Sequence, residues 1–232
     1  VSSIDRGYDN DSFSGSLAFH LGDVAVDVGY FRSEGDVEYL DFFGDAVDQD
    51  TLNGLARVSF EVAPTGIWQS RLLLAYVRDK IEENQSDDFA KTERDYIDWQ
   101  NTFVVSDEHT LVGGITANWT DTELLSFGSG YDERIRSIEY YLQDTIDLGK
   151  TRLQLGGRAI DNQQYGNNYT WNFAVGHQVT EQTRLHANAG TAFRAPSAND
   201  LYLPFTGDPD LDPEESTSGE VGVTHRVTPN DT

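Results

Sequence analysis

Apolar and polar residues alternate along most of this chain, and the alternation has period two. Between 182 and 194, Thr183, Leu185, Ala187, Ala189, Thr191 and Phe193 share one parity, and Arg184, His186, Asn188, Gly190 and Arg194 share the other. Residues 151–160 repeat the scheme, with Leu153 and Leu155 opposite Arg152, Gln154 and Arg158. Residues 52–62 do so again, with Leu52, Ala56, Val58, Phe60 and Val62 opposing Asn53, Arg57, Ser59 and Glu61. Side chains that alternate in this way belong to strands with one apolar and one polar face. The pattern predicts about eleven strands of roughly ten to fifteen residues and little helix.

The segments between these strands alternate as well. Short turns are expected at Leu21-Gly22-Asp23, Pro64-Thr65-Gly66, Ser106-Asp107-Glu108, Leu148-Gly149-Lys150, Thr180-Glu181-Gln182 and Pro229-Asn230-Asp231. Long polar stretches separate them, over 34–50, 84–93, 121–131, 162–168 and 195–213. The repeat is roughly 40 residues, a period that propeller blades also show, but a blade carries four short strands where this pattern has two long ones. A soluble β-sandwich is the other all-β alternative, and its strands are usually about five or six residues. Long strands, loops on one side and opposed faces fit an antiparallel transmembrane β-barrel. Rings fall near strand ends on the apolar parity, at Trp68, Tyr76, Trp99, Trp119, Tyr169 and Trp171, where a barrel places its aromatic girdles.

Composition narrows the choice. No apolar run approaches the ~20 residues of a spanning helix. The absence of cysteine excludes a disulfide framework and a thiolate metal site. The absence of Met, even at residue 1, predicts a mature or excised piece of a longer chain. A net charge of −24 argues against nucleic acid as a partner, because phosphate contact needs clustered Lys and Arg. The acids concentrate at Glu34, Asp36, Glu38, Asp41, Asp45, Asp48 and Asp50, with no basic residue among them. That run reads either as a solvated loop or as a site for a hard cation such as calcium, which takes several oxygen ligands.

The stretch GTAFRAPSANDLYLPFTGDPDLDPEES, residues 190–216, resembles the barrel signature of TonB-dependent outer-membrane receptors. The matching residues are Phe193, Arg194, Ala195, Pro196, Leu201, Tyr202, Asp208, Pro209, Leu211, Pro213 and Glu214. Pro196 would end a ladder by removing a donor, and Pro209 and Pro213 would stiffen the returning loop, so these residues read as architectural. YDNDSF at 8–13, EYLDFF at 38–43, DQDT at 48–51, DWQN at 98–101, GYDER at 130–134 and DNQQYGNNYTW at 161–171 are similar to segments of the cobalamin (vitamin B12) receptors within that family. Two departures are Leu40, between Tyr39 and Asp41, and Ser12 in place of a Gly.

The resemblance implies that residues 1–232 form part of a receptor barrel, about eleven of about 22 strands, with the plug and closing strands absent. It implies an outer-membrane location in bacteria, contact with membrane lipid, and TonB acting through the plug. The function implied is active import of a small-molecule substrate, cobalamin or, as the alternative, a ferric siderophore. By the same resemblance calcium orders the loops, with Asp9, Asp11, Asp41 and Asp50 as ligands and Tyr39 and Asp48 joining them. Arg57, Arg71, Arg152, Arg158, Arg184 and Arg194 would face the lumen as structural charges. An outer-membrane enzyme would need a nucleophile beside a base, yet His20, His109, His177, His186 and His225 are scattered and no Gly-x-Ser-x-Gly elbow occurs. A passive porin would not carry the Ala-Pro and Pro-Glu signatures.

Overall fold

A computed structural model describes residues 7–40 and 44–227. Within them lie eleven strands: β1 (Tyr8–Leu21), β2 (Val24–Leu40), β3 (Ala46–Thr65), β4 (Trp68–Glu83), β5 (Phe89–Val104), β6 (His109–Ser126), β7 (Ser129–Asp147), β8 (Thr151–Asn162), β9 (Gly166–Gln178), β10 (Thr183–Arg194) and β11 (Glu214–His225). A single five-residue helix, α1 (Ala198–Tyr202), sits between the last two. The strands pair in sequence order as one unclosed sheet, each antiparallel to the next. Alternate connections therefore lie at opposite ends: 22–23, 66–67, 105–108, 148–150 and 179–182 on one rim, and on the other, called here the longer-connection rim, those after β2, β4, β6, β8 and β10, of which 127–128 and 163–165 are themselves tight turns.

The strands run to 20 residues in β3 and 19 in β7, longer than the pattern predicts. Most of the polar stretches expected as loops are ladder. Asp36 faces Asp50 across β2 and β3, and Asp121 faces Arg134 across β6 and β7. Among the described residues, what remains unpaired between strands is 44–45, 84–88, 127–128, 163–165 and 195–213. The reason is physical. A strand that continues past its apolar portion has water on both faces, so its polar residues no longer distinguish it from a loop. The expected turn at 229–231 lies outside the described residues.

Register converts parity into two faces. Leu17, Val28, Val58, Leu74, Ile97, Ala117 and Ile138 stand opposite one another across seven strands. On the other parity Glu61, Arg71, Gln100, Gly114, Tyr141, Arg158 and Thr170 form an equivalent row. The polar face is cross-linked by Arg57 to Asp27 at 2.7 Å, Arg158 to Glu139 at 2.8 Å and Thr116 to Asp98 at 2.8 Å. These pairs are partly exposed and contribute little individually. Phe31, Leu55 and Val77 are an apolar exception on that face.

Among the described residues only Val26, Ile160, Pro196, Ala198 and Leu201 are buried apolar side chains. The accessible surface is 15236 Å², whereas a compact monomer of this mass would expose about 10,500 Å². The sheet has no globular core of its own, and its apolar face needs an apolar environment.

Close approach on the polar face depends on missing side chains. A Cβ on Gly114 would collide with the Trp99 carbonyl and the Tyr141 hydroxyl. Tyr141 lies across this gap beneath Arg158, whose guanidinium carbon is 5.8 Å from the ring centroid. Gly114→Val is expected to lower stability by about 1–3 kcal/mol through overpacking. Equilibrium unfolding of the refolded full-length protein checks this, with Gly157→Val, where a Cβ meets nothing within 4 Å, as the mild control.

Candidate functional site

The longer-connection rim carries two features: an acidic corner on β1–β4 and a folded loop over β7–β9. At the corner Asp9, Asp36, Asp50 and Glu82 occupy one register row. Asp11, Glu34, Leu52 and Lys80 form the next row on the same face, and Glu38 faces Asp48 beyond. A cleft of about 560 Å³ lies over these rows, with Arg32 and Arg78 at its lower edge. Asp36, past the apolar portion of β2, is pushed above the ordinary carboxylate range. Burial among its neighbours is the main cause, followed by the charges of Asp48, Asp50 and Glu38 and a hydrogen bond with Asp50.

The expected calcium ligands are brought together only in part. Asp9 and Asp50 stand in one row with Asp36 between them, and Asp11 and Asp48 share their face. Tyr39 is on the opposite face, where its hydroxyl donates to Glu83 at 2.5 Å. Asp48 is tied to the 84–88 connection, accepting from Asn84 at 2.8 Å. Asp41 lies outside the described residues. Among the described residues no three acidic or imidazole side chains gather closely enough to hold a metal ion. The acidic donors suit calcium in kind, but a cation would have to draw these strand tips together. Asp36, the central carboxylate, belongs to the acidic run of the sequence but not to the ligands that the resemblance implies, and register places it between Asp9 and Asp50.

The second feature is the loop 195–213. Ser197 caps α1 through a capping box with Asp200: the Ser197 amide donates to the Asp200 carboxylate at 2.8 Å, and the Asp200 amide donates back to Ser197 Oγ at 3.3 Å. Arg194 bonds Glu214 at 2.8 Å and reaches Asp200 at 3.7 Å, joining the end of β10 to the start of β11. Ala198 and Leu201 are buried. Tyr202 packs on Tyr131 of β7 with ring centroids 5.9 Å apart and accepts from Gln164 at 2.8 Å. Tyr165 donates to the Leu211 carbonyl at 2.8 Å. Tyr131, Ile160 and Asn162 share the parity of the polar face, so the loop folds over that face.

Two aromatic residues stand out on this rim. Phe127 and Phe205 are the non-glycine residues with positive φ among those described, at 51° and 70°. Their side chains are 79% and 82% exposed, so packing does not hold them there. At Phe127 the turn accounts for the conformation, since with Gly128 (φ 77°) it forms the two-residue connection between β6 and β7, and a tight hairpin needs positive φ at both positions. The sequence signal, a Phe before Gly in SFGSG and a Phe after Leu-Pro, was present but unspecific.

Residues 2–231 match the family described as TonB dependent receptor-like, beta-barrel. The chain is 31% identical over 236 residues to the vitamin B12 transporter BtuB of Photobacterium profundum, covering 96% of this chain and 38% of that protein. It belongs to the TonB-dependent receptor β-barrel family. A second BtuB, from Vibrio vulnificus, is 25% identical and is spanned over 37% of its length. Among solved structures, the siderophore receptor PirA of Pseudomonas aeruginosa aligns with a TM-score of 0.80 at 19% identity, covering 96% of this chain and 44% of that one. The ferric-catecholate import receptor Fiu of E. coli aligns at 0.79 and 12%, covering 97% and 50%. The chain thus spans well under two thirds of the proteins it matches, and the structural likenesses establish the fold alone.

Membership in this receptor family places the barrel portion in the bacterial outer membrane and outside the enzymes. Three of the described histidines are hydrogen-bonded within the sheet: His109 with Asp144 at 2.9 Å, His177 with Thr151 at 2.8 Å and His225 with Thr183 at 3.0 Å. The receptor signature proves architectural, since Arg194, Leu201, Tyr202 and Leu211 all hold the loop in place.

Hydrogen bonds from Ser197, the backbone amide first, hold the Asp200 carboxyl below its usual range. A carboxyl depressed in the folded state stabilises it above the unfolded pKa, near 3.9, and that contribution is lost as pH falls through the folded pKa. Protection from hydrogen exchange over 198–211, relative to the intrinsic rate at each pH, should therefore fall on acidification below about pH 4, and Asp200→Asn should remove that dependence. At neutral pH Ser197→Ala should also quicken exchange there, by the ~0.5–2 kcal/mol of a lost cap.

Proposed function

We propose that the receptor containing this barrel portion imports cobalamin across the outer membrane, driven through TonB, with calcium ordering its extracellular loops. The observation that carries the substrate is the 31% identity to a vitamin B12 transporter over 96% of this chain. The siderophore receptors that share the fold reach only 19% and 12% in the alignments above. In this reading the apolar face meets lipid and the polar face lines the lumen, where a plug completes the interactions of the inward charges. The longer-connection rim is extracellular, and the loop over β7–β9, with Phe127 and Phe205, borders the substrate entrance. TonB acts on the plug, and nucleic acid has no place on a chain of net charge −24.

Calcium enters through the acidic corner. Asp9, Asp11, Asp36, Asp48 and Asp50 supply carboxylates from three strands, with Asp41 and Tyr39 as the further candidates by resemblance. Calcium takes about six to eight oxygens and tolerates flexible geometry, so it can draw strand tips together that otherwise repel. Ordering the rim before substrate arrives lowers the cost of binding. Because Asp36 must give up its proton to join a cation, calcium binding should strengthen as pH rises through that raised pKa.

Equilibrium binding to the full-length receptor tests the proposal. Cobalamin should bind, calcium should tighten it by about tenfold, or 1.4 kcal/mol, and Asp36→Asn with Asp50→Asn should remove that gain. Binding of a ferric siderophore in place of cobalamin contradicts the substrate. Cobalamin binding indifferent to a chelator contradicts the calcium. Facing is tested separately: Leu155→Arg should block membrane assembly far more than Gln154→Arg, because a charge on the lipid face costs about 2–4 kcal/mol at the bilayer midplane. Equal effects would reject the assignment of faces.

A further inference from the structure

The polar face is furnished unevenly. From β2 to β8 its side chains bind one another, as in the Arg57–Asp27, Arg158–Glu139 and Thr116–Asp98 pairs and in the Gln154 amide, which donates to Gln143 at 2.8 Å. Across β9–β11 the same face changes character. Between Gly166 and Gln178, β9 presents no charged residue at all. Gly156, Asn172, Gly190 and Ser218 form one register row, and Gln154, Ala174, Asn188 and Glu220 form the next. Among the described residues, Thr170, Asn172, Asn188, Ser216 and Ser218 make no side-chain hydrogen bond. Charge is confined to the margins, with Arg194 paired to Glu214 at the longer-connection end and Glu220 and Arg184 nearer the short turns.

This wall is also low. A Cβ on Gly156 would collide with the Asn172 side chain that lies over it, and a Cβ on Gly190 would meet the Trp171 carbonyl at 2.9 Å. On β6 the gap at Gly114 is instead filled by the Tyr141 ring. The head of the wall is continuous with the folded loop, because Asn168 donates to the Tyr165 carbonyl at 3.4 Å and the Tyr165 hydroxyl donates to Leu211. We infer that β9–β11 form the track along which the substrate crosses the lumen, while the plug keeps its contacts with the bonded side chains of β2–β8. The occupant that fits is a molecule rimmed with neutral carboxamides, as cobalamin is. Asn, Ser and Thr set donors and acceptors side by side for a carboxamide, and hydrogen bonds exchanged one for the next guide a moving solute without trapping it. An anionic iron chelate would meet Glu220, and neither β9 nor β11 carries a lysine or arginine. The inference rests on the cobalamin import proposed above.

The test uses the full-length receptor in cells that supply TonB, with radiolabelled cobalamin as the probe. A benzophenone-bearing amino acid would be placed singly at 172, 188, 100 or 116 and photoactivated during uptake. Cobalamin adducts should form at 172 and 188 only when TonB is present, and plug adducts should form at 100 and 116. In a second arm, Asn188→Trp should lower the import rate by about tenfold or more by obstructing passage, with binding at the rim in the absence of TonB retained. Asn188→Gln, which keeps the carboxamide, should import as the wild type does. Plug adducts at 172 and 188 during uptake, cobalamin adducts at 100 and 116 instead, or undiminished import by the Trp variant overturns the inference. Failure of the cobalamin reading would show differently, as a wild-type receptor that binds no cobalamin at the rim before TonB acts.

Discussion

The antiparallel register is the constraint on which everything else rests, because it assigns each side chain to a face. A slip of one residue in any strand pair would carry Leu, Val and Ile to the polar side and Arg and Asp to the apolar side. Ten consecutive pairings keep parity, and the register shift between Val62 and Thr65 sits beside a short turn, past the apolar portion of β3. Inside the sheet the ladder satisfies the backbone, and the two faces satisfy different surroundings. A face built of Val28, Val58, Leu74 and Ile97 is stable only where water is excluded, and a face built of Arg71, Gln100 and Arg158 only where it is present. In a bilayer, a closed barrel meets both demands and leaves no unpaired edge.

Function is placed where that constraint relaxes. Past the apolar portion the strands carry polar residues on both sides, and the chain is free to concentrate charge. On β1–β4 it concentrates acids, which raise the pKa of Asp36 and favour a cation. Just below, at the boundary, it sets bases beside carboxylate partners. Over β7–β9 it folds a loop back onto the polar face and fixes it with a capping box, three tyrosines and an arginine. The acids and the bases beside them share one face of β1–β5, and the folded loop lies over the opposite face at β7–β9.

The fold was legible from sequence because period-two alternation is a direct record of the two faces. The strand count and the meander order follow from it, whereas the expected contrast of short and long connections fails at 127–128 and 163–165, which are tight turns. Strand ends were not legible. The stretches 34–50 and 121–131 read as loops because alternation disappears once both faces are wet, and only cross-strand pairs such as Asp36 with Asp50 reveal them as ladder. The loop 195–213 was readable as architecture through its prolines and its Arg194, which a specific motif marked. The acidic corner was half readable: the acids were visible as a run, but parity places Tyr39 on one face and Asp9 and Asp50 on the other, with Asp36 between them. The neutral wall was invisible in one dimension, because Gly156, Asn172, Gly190 and Ser218 come together only through pairing.

The assignment of faces is tested most directly by solvent access along β3, in a chain that contains no cysteine of its own. Single cysteines would be placed from 56 to 62 in an otherwise cysteine-free full-length receptor reconstituted in lipid, and labelled with a water-soluble maleimide. The account predicts labelling with period two, strong at 57, 59 and 61 and weak at 56, 58, 60 and 62. Uniform labelling, or strong labelling at the even positions, would contradict it.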